Sequence, residues 1–305
     1  MFDLDQLEAL RAVAREGSLT RAADLLHLSP SAVSQRLARL EKEIGQPVLQ
    51  PHGRTVRLTP AAQLLAQRAD QILSLVHRAH AELEHHRGLV VGSLSVAAFP
   101  TAVRGLLPHA MRALTAHHPD LRLHIHEQEA EQSLPLLARS DLDVAIVQDW
   151  VNRPLPIPRD LGTEPLLEDT ADLALPAGHP LAGRATVGIA EIADDSWISW
   201  GPGNLCHDWL LDTLRAHNHQ PRIAHTAAEY STQLTLVHAG LGIALIPRLG
   251  REPAPSGVRI LPVTPAPTRR VYAAYRRDGE RRPALRAVLA ALRTVASRLQ
   301  DEDRG

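Results

Sequence analysis

Cysteine is almost missing from this 305-residue chain: Cys206 stands alone. One thiol cannot close an internal disulfide, so a disulfide scaffold and a two-cysteine redox switch are both excluded, which fits a reducing compartment. Lysine is equally scarce. Lys42 is the only one among 33 Lys and Arg, so arginine supplies nearly all positive charge and a single Arg says less about guanidinium recognition than usual. Excess charge is lacking too: the formal net charge is −1, which excludes a broadly basic coat and confines any contact with a polyanion to a local patch. No apolar run approaches the roughly 18 residues needed to span a bilayer, and no secretory signal precedes the first helical pattern. The chain therefore reads as soluble and cytoplasmic. Gly-x-Ser-x-Gly, a phosphate-binding glycine loop and HExxH are all absent, so no catalytic motif, resident metal or cofactor is expected.

What is present is organised around residues 17–45, GSLTRAADLLHLSPSAVSQRLARLEKEIG. Ser18 stands ahead of a short apolar run in the position of an N-cap. Pro30, with no N–H and a preset φ, opens a second helix. Val33, Leu37, Leu40 and Ile44 form one apolar stripe on that helix. The opposite side presents Ser31, Ser34, Gln35, Arg36 and Arg39, groups that hydrogen-bond base edges and phosphates. The same pattern also describes the wetted side of an ordinary helical hairpin. Between residues 30 and 59 five cations face two acids, a local positive balance.

Residues 4–59 resemble the N-terminal winged helix-turn-helix of LysR-type transcriptional regulators. The opening helix DLDQLEALRAVAREGSLT carries the likeness, with Ala22-Ala23, Leu28-Ser29, Ala32-Val33-Ser34, Leu40-Glu41, Gly45 and Arg57-Leu58-Thr59. The likeness implies that the polar helix side touches operator DNA, together with Ser18 and Pro30. It also implies that residues 46–58 form a two-stranded wing whose Arg54 and Arg57 reach the phosphate backbone. Leu49 stands where the family usually has Phe, Pro51 where it usually has Arg, and Pro30 where Gln is frequent, so some contacts are expected to differ.

Thr59-Pro60 marks a further helix start, and the pattern runs from 61 to about 86, roughly 39 Å at 1.5 Å per residue. Its Leu64, Leu65, Ile72, Leu75, Val76 and Leu83 exceed what an isolated rod carries in water. They pack either on the chain's own domains or, as the resemblance implies, on a second copy. A dimer places two recognition helices on a two-fold DNA site, and pairs of dimers make a tetramer.

From Gly88 strands and helices alternate as in an open α/β sheet. Strands are expected at 92–99, 121–127 and 142–147, with helices at 101–118 and 131–140. A crossing follows at 161–164. A second set then holds strands at 173–176, 196–200, 222–226 and 242–247 and helices at 204–217 and 231–239. A return crossing at 262–267, a strand at 271–275 and a helix at 283–299 close the pattern. The expected fold class is thus α/β plus a winged helix-turn-helix. Residues 1–59 bind DNA, 60–87 form a linker helix, and 88–305 form a two-lobed, periplasmic-binding-protein-like effector domain. Lobe I takes about 88–162 and 267–305, lobe II about 163–266. His179-Pro180-Leu181 and the block at 241–247, LGIALIP, look like the effector domain of the same regulators.

Ligands of open α/β sheets bind beyond the carboxyl ends of strands. Those ends hold much of the chain's small aromatic set: Phe99 before Pro100-Thr101-Ala102, Trp150 after Gln148-Asp149, Trp200 after Ser199, and Tyr230. Aromatic walls with a few polar groups suit a small-molecule pocket, though the same rings also suit lobe core. The family's inducer position, carried over to Thr101, Ser199 and the turn at 240–242, supports the pocket. Asp149 and Glu229, if they face it, favour a ligand bearing an amine, such as an amino acid; Thr101 at a helix start favours a carboxylate. His124 and His126 share a strand face among 17 histidines, but no ordered set of metal ligands accompanies them.

Three functions compete. The first is a DNA-binding transcription regulator whose effector shifts a balance between two arrangements of an oligomer. The second is an enzyme using its N-terminal helices for assembly, and the third a DNA-bridging architectural protein with a filled cleft.

Overall fold

A computed structural model describes residues 3–52, 55–217 and 219–304. The chain divides into two compact units, Met1–Leu83 and Glu84–Gly305.

In the first unit each helix begins on a cap written in the sequence. Asp3 and Gln6 form a reciprocal capping box at the start of α1 (Leu4–Glu16), and Gly17 at φ 60° ends it. Ser18 Oγ accepts from Arg21 N at the start of α2 (Leu19–Leu25). Ser29 caps α3 (Pro30–Ile44), with Pro30 in its first turn and Gly45 at φ 67° closing it. The hairpin of β1 (Leu49–His52) and β2 (Thr55–Leu58) follows, its tip at Gly53-Arg54 outside the described residues. Thr59 Oγ1 then donates to Pro47 O at 2.7 Å and accepts from Ala62 N at 3.2 Å, opening α4 (Pro60–Arg87). Leu10, Val13, Ala22, Ala23, Val33, Leu37 and Leu40 make one core. The two alanines let α2 lie close against its neighbours.

The second unit holds β3 (Gly92–Ala98), α5 (Pro100–Gly105), α6 (Leu107–His117), β4 (Leu121–Glu127), α7 (Ala130–Ala138), β5 (Val144–Trp150) and β6 (Leu161–Pro176). Next come β7 (Val187–Gly188), β8 (Ser196–Ser199), α8 (Leu205–Ala216), β9 (Arg222–Thr226), α9 (Tyr230–His238), β10 (Ala244–Pro247), β11 (Val258–Leu261) and β12 (Val263–Thr264). Finally β13 (Thr268–Arg276) leads to α10 (Pro283–Arg304). The main sheet runs β10-β6-β13-β5-β3-β4, with β11 also on β6. Strands β3, β4 and β5 are parallel, and β13 is antiparallel to β5 and β6.

Two expectations are corrected. The span 101–118 is not one helix: α5 ends at Gly105 and α6 restarts at Leu107. Pro108 cannot donate into a continuous helix, and a Cβ on Gly105 would stand 2.6 Å from Gly250 N. The crossing at 161–164 and the strand end at 173–176 are one 16-residue strand, β6. It pairs with β13 up to Thr170, then with β10 and β11 from Ala171 onward, and so belongs to both lobes. Strand β11 was not expected from the sequence. Leu173, Trp197, Ile198, Leu234 and Ile246 sit in the core of lobe II, and Leu94, Val96, Ile146, Leu285 and Leu292 in that of lobe I.

Candidate functional site

On α3 the apolar stripe and the polar side separate as the spacing requires. Val33, Leu37 and Leu40 are buried, while Pro30, Ser31, Ser34, Gln35 and Arg39 are exposed. Arg36 is half-buried and held by Asp5 on α1 at 2.8 Å, so in this arrangement it ties the recognition helix to its support. Ser29 and Ser31 hydroxyls lie 2.9 Å apart at the helix start. Ser18 is half-buried, its oxygen engaged as the α2 cap. In the wing Arg57 is exposed; with the Gln50 amide turned to face it, that oxygen accepts from Arg57 Nε at 2.8 Å. Arg54 lies outside the described residues. Glu41 went unnoticed in the sequence: its Oε1 accepts from Val48 N at 2.8 Å and Leu49 N at 3.2 Å, fixing where the wing leaves the helix.

Between the lobes the residues singled out converge, but around a side chain that sequence reasoning missed. Arg269 of β13 is fully buried. Its Nε donates to Asp169 Oδ2 at 2.8 Å, one terminal nitrogen donates to Thr101 Oγ1 at 2.8 Å, and the other donates to Gln148 Oε1. The guanidinium also lies over the Phe99 ring, 5.2 Å from its centroid. Thr101 therefore spends its oxygen on the protein, and α5 is too short to offer an anion site at its start. The open space beside Thr101 and Tyr230 is only about 10 Å³.

The other expected pocket residues are likewise buried. Trp150 stacks on Trp209 at 3.6 Å, and Trp200 meets Tyr230 edge-on at 4.4 Å with its Nε1 donating to Ala228 O. Ala102 turns its methyl into the lobe I core, and Pro100 opens α5. Ser199 Oγ, Trp150 Nε1 and Gln128 Oε1 are buried without a hydrogen-bond partner. Burial, reinforced by Glu131 and Glu127, outweighs Arg269 and raises the Glu129 carboxyl to about 7. Burial also pushes the Cys206 thiol up to about 12, so it is a packed thiol, 3.8 Å from Gln148 Nε2.

The expected amine preference does not survive. Both Asp149 oxygens accept from Arg270, and Glu229 is exposed, accepting from Ser231. His124 and His126 are exposed on β4. Arg269 did leave a signal: strand alternation through TRRVYAAY puts it on the same side as Val271, Ala273 and Tyr275, a charge in a core register.

The family described as bacterial regulatory helix-turn-helix protein, lysR family, matches residues 4–63, and the LysR substrate binding domain matches residues 87–297. The chain belongs to the LysR family. It is 28% identical to the HTH-type transcriptional regulator CysL of Bacillus subtilis, over 80% of each chain. A full-length OxyR variant from Pseudomonas aeruginosa matches at a TM-score of 0.67 and 24% identity, covering 97% of this chain and 99% of that one. Full-length CbnR complexed with its target DNA matches at 0.64 and 20% identity, covering 96% and 99%. As a LysR-type protein the chain is a DNA-binding transcription regulator with an effector-binding domain, and not an enzyme. None of its described helices is long and apolar enough to cross a membrane.

Proposed function

We propose that this regulator reads a specific operator with Ser31, Ser34, Gln35 and Arg39, while Arg57 and Arg54 of the wing contact phosphate. The observation that carries this reading is the exposed polar side of a helix anchored by Val33, Leu37 and Leu40. Exposed Leu64, Leu75 and Leu83 on α4 support pairing of two copies through that helix, in the cytoplasm. The effector enters by parting the lobes around Arg269, where Ser199 Oγ and Trp150 Nε1 still lack partners. Donors of this kind beside a guanidinium favour a small carboxylate. Ser34→Ala with Gln35→Ala tests the first claim by fluorescence anisotropy on the chain's own upstream DNA. Affinity for the operator is expected to fall by about 1–3 kcal/mol per lost base contact, with little change on random DNA. Equal losses on both would favour the architectural reading.

A further inference from the structure

A cavity of about 640 Å³ lies on lobe I beside the proline-rich loop 151–160, and it shares no lining residue with the cleft around Arg269. Its size falls within the roughly 300–1,000 Å³ typical of small-molecule pockets. Leu155, Ile157, Leu161 and Tyr272 wall it and are held in an apolar cluster, so the walls are preformed.

Charge is distributed unevenly around it. Asp149 is neutralised, accepting from Arg270 through both oxygens at 2.8 Å and from Leu155 N at 3.1 Å. Arg159 and Arg277 meet at the Leu161 end, where Arg277 Nε donates to Arg159 O at 3.3 Å. Neither guanidinium has a carboxylate partner among the described residues. Glu168 stands at the other end of the same strand segment, roughly 20 Å along at about 3.3 Å per residue.

The edge of β6 is open here, since only β13 pairs with residues 161–168 among the described strands. A peptide strand is nevertheless a poor occupant. Pro165 has no N–H to offer, and the irregularity opposite Val271 and Tyr272 breaks the ladder. We propose that this cavity is a second ligand site, for an apolar monocarboxylate whose acid group lies between Arg159 and Arg277. Its body rests along Leu155, Ile157 and Tyr272, and Glu168 disfavours a second acid at the far end.

Titration of the full chain with 3-phenylpropanoate, followed by calorimetry, tests this against the uncharged 3-phenylpropanamide. The acid is expected to bind at least about tenfold more tightly than the amide. That advantage is lost in the R159Q/R277Q double variant, and Thr163→Trp, an exposed lining position, fills the cavity and removes binding. Absence of measurable binding, equal affinity for acid and amide, or binding that survives both variants overturns the proposal. Binding that persists unchanged in Thr163→Trp alone assigns the ligand to the cleft and overturns it too.

Discussion

On α3 the polar side chains Ser31, Ser34, Gln35 and Arg39 stand exposed, whereas Thr101, Gln148, Asp169 and Arg269 between the lobes are buried against one another. The first group keeps its hydrogen bonds with water until DNA replaces them, so removing a member alters affinity and leaves the fold alone. The second group has already exchanged water for protein partners, so removing a member strands the rest in a low-dielectric interior. One surface is tuned by salt, the other by what can take over an internal bond.

The widest gap between the two is expected at their arginines. Arg269→Ala leaves Asp169 buried and short of its partner, and thermal unfolding should show a loss of about 3–5 kcal/mol; Arg39→Ala should leave the unfolding midpoint in place. A small shift for Arg269→Ala would mean the cleft opens freely to water.

Protonation sharpens the contrast next. Glu129 has its folded-state pKa raised to about 7 from an ordinary 4.5. The folded form therefore holds the proton more tightly, and this group's contribution declines as pH rises from about 4.5 to 7. Glu129→Gln should match the parent near pH 5 and exceed it in stability at pH 8, as followed by chemical denaturation across that range. Parallel curves for the two proteins would remove Glu129 from the buried set.

The smallest effect is expected in the wing. Arg57→Gln should weaken binding to all DNA sequences alike and reduce the slope of log K against log salt by about one, with no change in unfolding. A sequence-selective loss would instead place Arg57 on a base.

These differences also explain what the sequence made legible. The first unit is built from local signals: Ser18 and Ser29 cap the helices they precede, and Gly17 and Gly45 end the ones before them. The cleft is built from distant ones. Arg269 reaches Asp169 across 100 positions and Thr101 across 168, separations at which no spacing rule operates. Strand β6 was read as two pieces because Pro165, Glu168, Asp169 and Asp172 interrupt its apolar pattern. Asp172, for instance, sits in the sheet only because Arg248 and Arg251 come to meet it. Expected pocket residues such as Phe99 and Ser199 were located correctly at strand ends, but nothing local told that a guanidinium would already occupy the space between them.

The joint between the lobes has its own consequence. Strands β6 and β13 pass from one lobe to the other side by side, and Ala171 N donates to Pro267 O at 2.9 Å where they do so. Two strands laced together act as a flat strap rather than two loose tethers. Such a strap flexes easily out of its plane but resists sliding lengthwise, because sliding would break every rung at once. Any gape of the clam is thereby restricted to a rocking motion about a single line, which gives a bound molecule one well-defined mechanical output.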